Sequence, residues 1–301
     1  VDLEIAALEQ TLRPLRYRAG ADSWGERTYR RRLLALLGAA AVACLALLLV
    51  QQPSPAPPAS SWAIAGEESQ RAVRSGEVLA TGNDRSLRLH SPEVGSLTVE
   101  PNSRVRVLPR ALRGERLSLE YGTLRAFIWA PPAKFAVETP SALAVDLGCA
   151  YTLQTDWRGD GQLTVDVGWV ALRKDGTEAF IPSGARCRLR KDRGPGLPVY
   201  NDAPEALRQG IARFEDHGQA LAAGALALAR PKDALTLWHL IPRVRGRERE
   251  AVAVRFRELV ELPETMTQED LLAAQQQTMD TAWEALQLGS SEWWRTWRQE
   301  W

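Results

Sequence analysis

Histidine and cysteine are scarce, three of each in 301 residues. His90, His217 and His239 stand far apart with no paired ligand spacing, so no metal site is expected. Three cysteines are too few for a disulfide scaffold. A glycine-rich phosphate loop between a strand and a helix is missing, and no cofactor is expected. No sign of charge dominates: 38 Lys and Arg face 37 Asp and Glu, a net charge of +1. A dedicated nucleic-acid binder carries a basic stripe, so direct nucleic-acid contact is not expected either. Acidic residues are plentiful, yet no two stand out as an acid–base pair, and Cys149 has no evident histidine partner. These absences point to a protein that acts by contact, with no catalytic residue and no enzyme activity.

What the sequence does have is one long apolar run, Leu33 to Val50, LLALLGAAAVACLALLLV, without a charge. As a helix rising 1.5 Å per residue it covers about 27 Å, close to the hydrocarbon thickness of a bilayer. Lipid demands that every backbone group be satisfied internally, which a helix does. A buried core helix would show a polar face, and this run has none. A cleaved secretory signal is shorter, with a small-x-small site close behind it; here Ala63-Ile64-Ala65 lies well beyond the run. Ala43-Cys44 has the look of a lipoprotein site, but Leu45 to Val50 continue the apolar stretch. The reading is a single transmembrane helix over residues 33–50, in contact with membrane lipid. Arg27, Arg30, Arg31 and Arg32 abut its N-terminal end, and the first basic residue after it is Arg71. That asymmetry holds the N-terminus in the cytoplasm and sends residues 51–301 across the inner membrane into the periplasm.

The flanking regions differ in character. Residues 1–32 form a cytoplasmic tail with seven arginines and five acids. In it Ile5, Leu8, Leu12 and Leu15 make one apolar stripe at helical spacing, interrupted by Pro14. A helix so short is marginal alone in water, so the stripe suggests a partner, either a protein groove or the bilayer surface. Residues 51–61, QQPSPAPPASS, read as a Pro-rich, semi-rigid spacer. A short helix is expected within residues 60–74.

From about Gly76 to Arg190 apolar residues recur at every second position, as in Leu97 and Val99, Val105 and Val107, and Leu163, Val165 and Val167. Turn signals such as Gly82-Asn83-Asp84 and Gly159-Asp160-Gly161 separate these stretches, which implies an all-β, largely antiparallel domain. Cys149 and Cys187 fall within it and are either disulfide-bonded, if their strands are neighbours, or two buried free thiols. Past Gly194–Pro198 the pattern turns helical, over residues 203–301. Asp202-Ala203-Pro204-Glu205 starts one helix, Val252, Phe256, Leu259 and Val260 stripe another, and Thr267 with Glu269 and Asp270 opens a third. Trp294, Trp297 and Trp301 share one face at the end of the chain.

Several pieces of the β region fall in a familiar order: Gly95-Ser96-Leu97-Thr98-Val99 with Pro101 and Ser103, then Leu119-Glu120-Tyr121-Gly122. Phe135-Ala136-Val137-Glu138-Thr139-Pro140 follows, and Asp146-Leu147-Gly148 with Tyr151. Val165-Asp166-Val167-Gly168-Trp169-Val170 and Ile181-Pro182-Ser183-Gly184 complete the series. This order resembles the FecR domain, the periplasmic module of bacterial transmembrane sensors that regulate extracytoplasmic-function sigma factors. The resemblance covers residues 76–192. It implies that the outer domain receives a signal from an envelope or outer-membrane protein, and that the cytoplasmic tail, through Ile5, Leu8, Leu12 and Leu15, binds or releases a sigma factor. Cys149 stands where a threonine is common in that family, and Asp233-Ala234-Leu235-Thr236-Leu237-Trp238-His239-Leu240 looks like a segment appended in some of its members. The expected architecture is therefore multi-domain and membrane-anchored, with one transmembrane helix, an all-β FecR-like domain and a C-terminal α-helical region. The alternative is a membrane-anchored envelope binding protein with no sigma-factor role.

Overall fold

Short segments with apolar residues at every second position have one face to bury, and here they do so as strands in two stacked sheets. The computed structural model describes residues 59–65, 70–110 and 114–289, all within the unit Pro57–Trp301. Among them the first eight strands are β1 (Ala59–Ala65), β2 (Gln70–Arg74), β3 (Val78–Ala80), β4 (Leu87–Ser91), β5 (Gly95–Val99), β6 (Arg104–Val107), β7 (Glu115–Ile128) and β8 (Phe135–Glu138). The next eight are β9 (Leu143–Asp146), β10 (Ala150–Thr155), β11 (Gly161–Val167), β12 (Trp169–Lys174), β13 (Thr177–Pro182), β14 (Ala185–Arg190), β15 (Gly194–Pro195) and β16 (Val199–Tyr200). Their pairings are antiparallel except that of β7 with β8.

β7 belongs to both sheets. Up to Tyr121 it pairs with β6 and β8, and from Gly122 onward with β5 and β10. The middle sheet therefore holds β3, β6, β8, β9, β12 and β13 around the first half of β7. The outer sheet holds β2, β1, β4, β5, β10, β11 and β14 around the second half. The crossing needs a glycine. Gly122 has φ +101°, and a Cβ there would lie 2.2 Å from Ser103 Oγ. The buried Ser103 is itself fixed, its N–H donating to Thr81 Oγ1 (3.0 Å) and its Oγ accepting from Thr123 N–H (2.9 Å). Gly122→Ala combines an unfavourable backbone region with overpacking of this corner, and is expected to cost about 2–3 kcal/mol. Chemical denaturation of the variant measures it, and a loss below about 0.5 kcal/mol would show that the corner relaxes freely.

The middle sheet is buried on both faces, which explains runs that do not alternate. In β8, Phe135 and Val137 point into the core between the sheets, while Ala136 points the other way. Val145 of β9, Ala171 of β12 and Phe180 of β13 share that second face. Among the described residues six α-helices supply its cover: α1 (Glu205–His217), α2 (Ala223–Ala227), α3 (Ala234–Leu240), α4 (Gly246–Leu259), α5 (Gln268–Ala273) and α6 (Gln276–Ala285). Every residue of α3 is buried. Trp238 and Trp283 meet edge to face (5.1 Å), Trp283 reaches Phe180 (5.4 Å), and the Trp238 indole N–H donates to Met279 O (2.8 Å). Sheet and helices thus share one continuous core, and the helical region is packed against the β region as a third layer. Thr267 caps α5 in a reciprocal box with Asp270, as the sequence there predicts. Buried Val252 and Phe256 form the inner stripe of α4.

Residues 60–65 and 70–74 are not helical. They form β1 and β2, a hairpin on the outer sheet with Trp62 and Val73 fully buried. Among the described residues β structure is already present at Ala59, inside the stretch that reads as spacer. Trp62 packs edge to face against Phe135 of the middle sheet (5.6 Å), a long-range contact that local propensity does not encode.

Candidate interaction surface

The outer sheet has only one face covered by the core, and its other face carries a line of side chains in which large apolar groups are exposed. Cα partners place His90 of β4, Ser96 of β5, Phe127 of β7, Ala150 of β10 and Val167 of β11 side by side. At the usual strand spacing this line is about 19 Å long. Phe127 is 58% exposed and Val167 60%. Trp129, two residues past Phe127 and 46% exposed, leans against both Phe127 (6.1 Å) and His90 (5.7 Å) at interplanar angles of 64° and 51°. Its indole N–H donates to Pro92 O (3.0 Å) and its backbone N–H to Val94 O (3.0 Å), so the ring is held in place. Next along the strands comes a polar line of Arg88, Thr98, Arg125, Thr152 and Thr164, with Arg125 paired to Glu100 (2.6 Å). The signal was present in Arg125-Ala126-Phe127-Ile128-Trp129. A strand with Ala126 and Ile128 inward must point Phe127 outward, and Trp129 just past its end continues that alternation.

Some of the residues that carry the family resemblance occupy corners between the sheets, and the others lie within strands. Asp146, Leu147 and Gly148 take the chain from β9 to β10, and Gly168 takes it from β11 to β12. A Cβ on Gly168 would lie 2.1 Å from Gly148 O, so the two corners fit only with glycine there. Ser183 N–H donates to Gly168 O (2.9 Å), Ser183 Oγ to Asp166 O (2.6 Å) and Gly184 N–H to Val165 O (2.9 Å), tying the β13–β14 corner to the same place. These residues build the architecture and bring no reactive group to the surface. Asp146 is the exception in character. Its buried carboxylate accepts from Gly148 N–H (2.7 Å) and from the Cys149 thiol, and burial raises its pKa from 3.8 to about 7.

Cys149 and Cys187 are buried free thiols, so the disulfide alternative is not realised. Cys187 lies opposite Leu163 of β11, whereas Cys149 adjoins Ala150, which lies opposite Val167. β11 separates the two strands, and the offset along it is roughly 13–17 Å. A bridge needs Cα atoms within about 7 Å. Burial pushes both thiols up, which makes them inert. His239 is deeply buried, His90 joins the surface line, and His217 ends α1. Among the described residues no group of three or more His, Cys, Asp or Glu comes together as a metal site, and no helix is long and apolar enough to cross a membrane. Ile5, Leu8, Leu12 and Leu15, the span at residues 33–50, and Trp294, Trp297 and Trp301 lie outside the described residues.

No protein-family model and no curated protein matches the chain. Two crystal structures, at 1.65 and 2.50 Å resolution, of a candidate anti-sigma factor from Parabacteroides distasonis ATCC 8503 are similar to part of it. In each the identity is 13% and the TM-score 0.36, over 47% of this chain and 65% of the other. This chain thus spans less than two thirds of the length of those proteins.

Proposed function

We propose that this protein is a single-pass membrane regulator working by protein contact. Its outer body binds an envelope protein across Phe127, Trp129 and Val167, and its cytoplasmic tail holds an extracytoplasmic-function sigma factor at Ile5, Leu8, Leu12 and Leu15. The observation that supports the outer half is the exposed group Phe127, Trp129 and Val167 on an otherwise largely polar sheet face. Large aromatic side chains gain stability only when buried, and a pinned, exposed Trp beside a Phe has the make-up of an interface hot spot. The tilt of the rings (64° and 51°) favours an apolar protein side chain as the partner, since a sugar platform needs a flat, coplanar array. The inner half rests on the order of motifs resembling the FecR domain, the arginine-flanked apolar run and the apolar stripe ahead of it. An outside event reaches the tail only through a state difference at the span, such as association or helix movement.

The test compares three full-length or shortened proteins purified in detergent from the native cell: wild type, a chain lacking residues 1–20 that keeps the orienting arginines 27 and 30–32, and F127A/W129A. Wild type is expected to carry both a sigma factor and an envelope protein. Loss of residues 1–20 should remove the sigma factor alone. The double variant should reduce envelope-protein capture at least tenfold, about 1.4 kcal/mol or more, with unchanged thermal stability. A sigma factor retained without the tail, or captured by none of the three, would sink the regulatory half and leave an envelope binding protein. Envelope capture unaffected by F127A/W129A would sink the surface assignment.

A further inference from the structure

A cavity of about 250 Å³ opens between the turn joining β14 to β15 and the C-terminal end of α1. Arg188, Arg190, Arg193, Arg243, Phe214 and Glu215 line it, together with the Gly194-Pro195-Gly196 backbone. Three of the four guanidinium groups are accounted for by neighbours. Arg188 makes two bonds to Asp216 (3.1 and 2.9 Å), and Arg190 reaches Asp160 (2.9 Å) and Asp216. Arg193 donates to Glu215 O (2.7 Å) and lies 3.5 Å from the exposed Asp192 carboxylate. Arg243 is different. It donates to two carbonyls, Pro195 O (3.1 Å) and Glu178 O (3.3 Å), and among the described residues no carboxylate lies within 4.0 Å of it. A part-buried guanidinium has thus been given hydrogen-bond acceptors but no directly paired carboxylate; the charge of Glu215, across the same cavity, reaches it only through space, and an anion in the cavity would complete the pairing. Burial accordingly pushes Arg243 below its ordinary value. The one carboxyl lining the cavity, Glu215, accepts from Leu197 N–H through Oε1 (2.7 Å) and lies 3.7 Å from Arg188 through Oε2, and its pKa is raised, chiefly by burial, so it opposes an anion less than an exposed glutamate would.

We infer that this cavity is a binding site for a small organic carboxylate, its anionic head between Arg243 and Arg193 and its apolar body against Phe214 and Pro195. The fork of an arginine matches a carboxylate in geometry as well as charge. The volume is below that of a drug-sized pocket, which limits the ligand to a single ring or a short chain. The site shares no residue with the tail stripe or with the Phe127 surface, so it stands or falls separately from the regulatory reading.

Benzoate serves as the probe, with inorganic phosphate as the control anion, titrated calorimetrically into the full-length protein in detergent at constant ionic strength. Saturable benzoate binding in the millimolar range or tighter is expected, with phosphate at least tenfold weaker. Arg243→Gln should abolish benzoate binding. Because Arg243 also holds the Pro195 turn, Arg193→Gln is the second variant; it should keep the wild-type melting temperature and weaken benzoate at least tenfold. No saturable binding of benzoate, equal binding of phosphate, or undiminished benzoate binding by Arg193→Gln would each overturn the assignment.

Discussion

Replacing His239 with alanine is expected to lower stability by about 3–5 kcal/mol, because the imidazole fastens the helical layer to the middle sheet. Phe180 N–H of β13 donates to Nε2 (3.1 Å), and the other ring nitrogen, Nδ1–H, donates to Leu235 O (2.9 Å). These partners assign the neutral tautomer. β13 ends the middle sheet, and an edge strand leaves backbone N–H groups unpaired. His239 satisfies one of them from the helix that covers the edge. Truncation would leave that N–H buried without an acceptor and open a gap beside Phe180 and Trp238, both within ring contact of the imidazole. Glutamine, which can accept from Phe180 N–H, should recover part of the loss at pH 7.5. Urea unfolding of the three proteins measures this, and an alanine penalty below about 1 kcal/mol would mean the helical layer is held by its apolar contacts alone.

The helical layer also marks where the sequence stops being readable. Alternation at Leu97, Val99, Leu163 and Val165 specifies strands because one face is buried and the other wet. In β8, β9, β12 and β13 both faces are buried, so composition alone cannot say which residue looks at which layer. That division depends on helices more than twenty residues further along the chain. The β1–β2 hairpin is hidden for a related reason: Trp62 finds its place against Phe135, seventy-three residues away. Cys149 and Cys187 show the limit for site chemistry, since both lie in or beside strands of one sheet and only the strand order and register keep them apart. The helix starts at Thr267 and near Pro204 were legible because capping is local chemistry. Phe127 and Trp129 were legible in principle and lacked only the decision that Leu124–Ile128 is a strand.

The second large effect concerns Asp146, and its sign is opposite to that of His239. Burial raises the Asp146 pKa from 3.8 in the unfolded chain to about 7. The folded state therefore holds this proton more tightly, and the stabilisation it brings is complete below pH 3.8 and is lost as pH rises to about 7, an effect of about 4 kcal/mol. Burial lowers the pKa of His239 from 6.5 to about 3. The neutral ring's contribution is complete above pH 6.5 and is lost as pH falls toward 3, an effect of about 5 kcal/mol. Between pH 4 and 6.5 the two slopes nearly cancel, so wild type should show little pH dependence from this pair. Single variants expose each slope. Asp146→Asn, whose amide keeps an acceptor for Gly148 N–H, should be more stable than wild type at pH 8 by about 2–4 kcal/mol and should lose that advantage by pH 4. His239→Gln should gain stability as pH falls over the same range, because the carboxyl's slope is then unopposed. Urea midpoints at pH 4, 5, 6, 7 and 8 for the three proteins decide the matter. If Asp146→Asn parallels wild type throughout, the carboxyl titrates as an ordinary exposed acid and the β9–β10 corner is open to solvent. If the variant instead diverges above pH 5, a charge confined between the two sheets is a cost the fold carries at neutral pH, offset by the hydrogen bonds that Gly148 and Cys149 make to it.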